Sequence, residues 1–302
     1  MAYLFLAQSN PAMQWSEPAW GGLPEGELLG TVLLFYGLLV LVGLGVDAVL
    51  LARLQRDGDR WRRGINILLW RPWRWLDVAH VMVALFGLHL LVFGVVQIGY
   101  RWGGWEAWDE ATLGLLSHSL ALHWGTLLVA GWLAARRGVS WRTGFGTRRG
   151  AWLGASFQGV VAYVAMIPLF LACSIAVHVW LQWAGHEPAP QDVILLFAQL
   201  EGGFMYYYFI FLAVVLAPLA EEVLFRGILL PALGRRIGLG AAILISSALF
   251  ALMHFHVPAL APLLILSVAL SLAYIYTRSL VTPIVMHVLF NAVSLTVMRM
   301  IG

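Results

Sequence analysis

The chain contains no lysine, so its positive charge rests on 18 arginines. It has one cysteine, Cys173, which excludes an intrachain disulfide and a thiolate metal cluster. Charged residues are scarce as well, at 11% of 302 positions against 61% hydrophobic, and mean hydropathy is +0.84. So few polar groups cannot clothe a soluble protein of this length. The composition predicts an all-α polytopic transmembrane helix bundle, with the lipid bilayer as its first partner. The arginines sit in short loops between apolar runs, so the basic balance reads as membrane topology and not as nucleic-acid binding.

Apolar runs occupy residues 29–52, 76–100, 113–135, 152–182, 204–233, 240–256, 259–277 and 280–300. Most reach the roughly 20 residues that cross a bilayer, which predicts about eight spans. The connections at 53–74 and 136–149, with Arg235, Arg236 and Arg278, then fall on one side. Glu17, Glu25, Glu27, Glu106, Asp109, Glu110, Glu187, Asp192 and Glu201 collect on the other. By the positive-inside rule both termini are expected outside the cytoplasm.

Three regions are expected: a leader at 1–28, interfacial or extracytoplasmic, accessory transmembrane helices at 29–150, and a functional bundle at 151–302. Trp61, Trp70, Trp73, Trp75, Trp102, Trp105 and Trp108 cluster at span ends, as interface anchors do. Tyr206, Tyr207 and Tyr208 read as a similar belt. Gly30, Gly37, Gly43 and Gly45 read as points of close helix packing. Asp47 is expected to snorkel or to pair with Arg53. His80, His89, His118, His123, His178 and His186 have no defensible carboxylate partner at helical spacing and read as packing or interface residues.

What stands out is Ala217-Pro-Leu-Ala-Glu-Glu-Val-Leu-Phe-Arg-Gly227, where two carboxylates and an arginine interrupt an apolar run. Ionisable groups inside a membrane are costly and mark function by default. On a helix Glu222 and Arg226 share a face and can pair, whereas Glu221 points about 100° away. One carboxylate is thus expected to be structural and the other available for chemistry. Later runs add Phe250 with His254, and His287 with Asn291, each pair four residues apart. At 1.5 Å per residue from the arginine-rich side, the glutamates lie about 18 Å deep, His254 about 20 Å and His287 about 10 Å.

A buried carboxylate beside an imidazole can deprotonate water, and a second imidazole with an amide can donate to a developing oxyanion. Glu221 or Glu222 with His254 and His287 could instead ligate a catalytic zinc, since two histidines and a glutamate suit that metal. The His-Glu-x-x-His signature of zinc metalloproteases is absent.

Glu-Glu-x-x-x-Arg, then Phe-x-x-x-His, then His-x-x-x-Asn on successive apolar spans resembles the CAAX-protease and bacteriocin-processing (CPBP, or Abi) family of intramembrane proteases. Ala217-Pro218 and Phe225-Arg226-Gly227 also look like that family, and the resemblance covers about 200–302. It implies an endopeptidase of the bacterial cytoplasmic membrane, cutting a membrane-anchored or lipidated protein or peptide. Glu221 would be general base with His254, while His287 and Asn291 would stabilise the oxyanion. Glu222, Arg226 and Phe250 would support the site. A metal-free glutamate mechanism is favoured, with zinc on Glu221, His254 and His287 as the alternative. Two other readings stay open: a proton-coupled carrier using the same buried charges, and a catalytically silent membrane scaffold.

Overall fold

A computed structural model of the chain describes residues 25–56, 58–102, 110–147, 150–186 and 203–301. Residues 1–24, Trp105, Trp108, Glu106, Asp109, Arg148, Arg149, Glu187, Asp192 and Glu201 lie outside the described residues. Among those described, every regular element is helical. The chain forms α1 (Glu25–Arg56), α2 (Gly58–Leu69), α3 (Trp75–Trp102), α4 (Glu110–His118), α5 (Gly125–Arg136), α6 (Trp141–Phe145) and α7 (Trp152–Trp183). The second half adds α8 (Gly203–Phe211), α9 (Ala217–Glu222), α10 (Leu230–Ile237), α11 (Leu239–Leu252), α12 (Leu260–Thr277) and α13 (Val281–Ile301). Segments of π-helix, Ser119–Trp124, Leu212–Leu216 and Val223–Leu229, join α4 to α5, α8 to α9 and α9 to α10.

A helix lies on each expected span. Among the described residues, Leu33–Arg53, Trp75–Trp102, Trp152–Trp183, Gly203–Ile237 and Val257–Thr277 are long and apolar enough to cross a membrane by length and composition. The other expected spans fall on the π-interrupted α4–α5 and on the shorter α11 and α13. Large apolar side chains crowd the surface, among them Leu34, Leu41, Val83, Phe86, Leu128 and Phe157. Such a surface suits hydrocarbon and not water. The chain is an integral membrane protein.

Helix α7 is the hub, packed against α1, α12 and α13, while α12 also packs on α11 and α2. Pro168 inside α7 has no N–H to give the carbonyl of Val164, four residues back. Gly43 of α1 is seated there: a Cβ on it would lie 2.6 Å from Val164 O and 2.7 Å from Pro168 Cγ. Gly30, Gly37 and Gly45 have open space instead, so of the expected packing glycines only Gly43 serves.

Three further expectations need correction. The connection at 53–74 contains a helix, α2, because Gly64 and Leu68 supply a buried face while Arg62 and Arg63 stay outside. Trp73 is no interface anchor: it is fully buried, its Nε1 donates to Gly144 O at 3.1 Å, and its ring lies 5.1 Å from that of Phe145. Of the two alternatives for Asp47, the ion pair with Arg53 is not formed among the described residues, since six positions along a helix put them on different faces.

The arginine-rich connections do meet at one end. Arg71 donates to Thr143 O (2.7 Å) and to Arg278 O (3.1 Å). Nearby, Arg137 binds Asp77 Oδ1 through Nη2 (2.6 Å) and Nε (3.0 Å), and Asp77 Oδ2 accepts from Arg74 N at the start of α3. Asp77 went unnoticed in the sequence because its partner is 60 residues away.

Candidate active site

Glu221 and Glu222 end α9, between two π-helical segments. A π-turn displaces the residues after it around the helix axis and frees a carbonyl, and such turns are frequent at functional sites. Here Asn291 of α13 donates from Nδ2 to Ala213 O in the preceding π segment, at 2.8 Å.

Glu222 is fully buried and committed. Its Oε1 accepts from Arg226 Nη1 at 2.8 Å, as their spacing predicts, and from His287 Nδ1 at 2.9 Å. Arg226, 1% exposed, donates from Nη2 to Ser267 Oγ (2.6 Å) and Ser267 O (3.0 Å), and Ser271 Oγ donates to the same carbonyl at 2.9 Å. Its Cζ stands 4.8 Å from the centre of the Phe250 ring, close enough for a cation–π contact. A buried ion pair is tolerable only when its remaining hydrogen-bonding groups find partners. Ser267 supplies them for Arg226, and one serine on α12 carried no signal in the sequence.

Glu221 differs. Its side chain is 23% exposed, it lines a cavity of about 500 Å³, and its Oε2 has no hydrogen-bond donor in the protein. The Oε2 of Glu222 lacks a donor too, but Glu222 is not on the lining of that cavity. His287 stands between the carboxylates, with Nε2 3.8 Å from Glu221 Oε2. The depth count placed His287 well short of the glutamates. It assumed helices upright from a common level, whereas a rod as long as Gly203–Ile237, about 52 Å, must tilt or overreach a 30 Å hydrocarbon layer.

Helix α11 stops at Leu252, so His254 occupies the turn beyond it and not the helix expected through residue 256. Its Nδ1 donates to Phe250 O at 2.8 Å, since a carbonyl can only accept. That fixes the tautomer and leaves Nε2 as the basic nitrogen. The Phe250 ring centre lies 4.9 Å from His254, 5.6 Å from His287 and 5.4 Å from Phe225, so it holds both imidazoles in place. His254 and Phe250 share the Glu221 cavity; His287 and Asn291 are not on its lining.

The far wall of the cavity comes from the accessory helices, through Met82, Leu85, Phe86, His89, His118 and His123 among others. Sequence reasoning set these histidines aside because it sought partners on the same helix. One signal was there: His89, His123 and Glu221 each lie about 20 Å from the arginine-rich end. The halves are also tied by Tyr208, whose hydroxyl bonds Ser119 Oγ at 2.8 Å, so it is a link and not an interface anchor; Tyr206 is buried.

A zinc would need Glu221, His254 and His287 to converge. Among the described residues no three His, Cys, Asp or Glu side chains are placed to hold a metal ion.

Residues 203–293 match the family model described as "Rce1-like: Type II CAAX prenyl endopeptidase Rce1-like". The match spans under a third of the chain, falls on the stretch from α8 into α13, and bears out the resemblance to CPBP proteases there. No curated protein and no solved structure matches the chain.

Proposed function

We propose that the protein is an intramembrane endopeptidase that hydrolyses a peptide bond in a membrane-anchored or lipidated substrate, with Glu221 as general base. The observation that carries this is the asymmetry of two adjacent carboxylates. Arg226 pairs with Glu222 and His287 hydrogen-bonds it, while Glu221 lines a cavity and its Oε2 has no hydrogen-bond donor in the protein.

Glu221, with His254 Nε2, takes a proton from water, and the hydroxide adds to the scissile carbonyl carbon. The carbonyl oxygen becomes an oxyanion; His287 and Asn291, the motif's donors for it, lie off the cavity lining and must turn toward it, Asn291 with the amide hydrogen not given to Ala213 O. The C–N bond then breaks, and the proton held by Glu221 passes to the leaving amine. Glu222, Arg226 and Phe250 keep the imidazoles aligned. No metal enters this scheme.

The test is a synthetic peptide carrying a farnesylated cysteine three residues from its C-terminus, incubated with wild type and Glu221→Gln in proteoliposomes. Mass spectrometry reads the products, with a parallel chelator arm. Cleavage by wild type that Glu221→Gln abolishes and chelation leaves intact supports the reading. Equal cleavage by both proteins removes Glu221 from the mechanism, and loss on chelation restored by zinc replaces it with a metalloenzyme. Persistent failure to cut, with proton-coupled uptake across the vesicle, would favour a carrier.

A further inference from the structure

Peptide hydrolysis at the depth of Glu221 poses a problem that the residues named so far do not solve. A helix keeps its backbone hydrogen-bonded and its carbonyl carbons screened, so a segment to be cut must be extended. Extended backbone in a water-poor, apolar cavity leaves N–H and C=O groups without partners, a heavy penalty in such surroundings. Most of the cavity cannot help, for Met82, Leu85, Phe86, Leu122, Leu224 and Phe225 are apolar. Apart from Glu221 and His254, the polar side chains on its lining are Thr126, His89, His118 and His123. Thr126 already donates to Leu122 O at 2.5 Å.

We infer that His89, His118 and His123, on the accessory helices, form a subsite that hydrogen-bonds the extended backbone of the substrate and leads it to Glu221; the inference rests on the endopeptidase reading. The His118 ring centre lies 6.0 Å from that of His89 and 6.2 Å from that of His123. An extended chain advances about 3.3 Å per residue, so carbonyls on one side recur about every 6.6 Å. Adjacent imidazoles thus match alternate residues. A neutral imidazole carries one donor and one acceptor, which suits peptide groups of either kind.

The placement of the row agrees. His123 lies in the π-helical segment Ser119–Trp124, which packs against α9, the helix that carries Glu221, and both side chains line the same cavity. The cavity continues from His123 past His118 to His89 on α3. Two functional walls therefore face each other, hydrolytic groups on one half of the molecule and backbone-binding groups on the other. The apolar residues between take the side chains or lipid of the substrate.

Binding tests this apart from cleavage. Glu221→Gln in nanodiscs is titrated with the farnesylated peptide and with farnesyl-cysteine methyl ester, which carries the lipid without the peptide. Adding His118→Leu and His123→Leu should weaken peptide binding on the order of 10-fold, two hydrogen bonds' worth, and leave the ester unchanged. His118→Gln with His123→Gln, which keeps a donor and an acceptor at each site, should restore most of the loss and controls for folding. Unchanged peptide affinity, equal weakening of both ligands, or no peptide binding by Glu221→Gln overturns the subsite. If instead the peptide binds with the expected histidine dependence but wild type never cuts it, the subsite stands and the hydrolytic reading fails.

Discussion

The two halves of the chain solve the same solvent problem in opposite ways. Within the most apolar stretch of each helix, 6% of Leu33–Arg53, 11% of Trp75–Trp102 and 17% of Trp152–Trp183 is buried in the protein, against 50% of Gly203–Ile237 and 44% of Val257–Thr277. The helices through α7 are therefore apolar mainly for lipid, and those after it are apolar largely for each other. The later half shelters an arginine and a glutamate at 1% and 0% exposure within that packed protein. Yet the cavity at Glu221 is closed by both halves. A lipid-facing layer can serve a site on its inner face.

The sharpest break in that comparison is Glu221→Gln. It should lower hydrolysis on the order of 10³-fold, within the range of general-base catalysis, while the unfolding midpoint in micelles stays put. A large drop in that midpoint would mean that Glu221 is structural like its neighbour. Arg226→Leu should do the reverse, costing about 3–5 kcal/mol of stability in a denaturant titration by stranding Glu222. The double variant Glu222→Leu with Arg226→Leu should recover much of that loss, since a buried pair contributes less than either partner costs alone. If it does not, the link to Ser267 and His287 matters more than the pair.

Smaller effects probe the accessory half. Asp77→Asn should cost about 1–3 kcal/mol, by weakening the charge-assisted bonds from Arg137 and the start of α3, with cleavage retained by the folded fraction. Gly43→Leu should destabilise by about 1–3 kcal/mol through its clash with Val164 and Pro168, whereas Gly37→Leu should be silent. Equal effects at the two glycines would contradict the close approach of α1 to α7 at Gly43.

Much of this was legible in the chain itself. Long apolar runs name transmembrane helices because a bilayer leaves the backbone little choice. Glu222 and Arg226 pair at four-residue spacing because both lie on one helix, where geometry is local. The arginine loops gather at one end, as expected, through the contacts of Arg71. Trp73 misled because tryptophan suits both an interface and a core, and only Phe145 and the Gly144 carbonyl, about 70 residues on, decide between them. Asn291 carried a motif, but its bond to Ala213 depends on a π-turn that residue patterns do not announce.

Sequence alone thus determined the solvent, the helical class and the residue types of the site, since hydropathy and helical periodicity act over a few residues. Tertiary structure decided which carboxylate is bonded from two sides, which serine completes the arginine, and that three histidines set aside as packing groups stand across a cavity from Glu221. Those outcomes depend on helix tilt, on π-turns and on contacts between distant segments. They are properties of how rods pack, and no single rod encodes them.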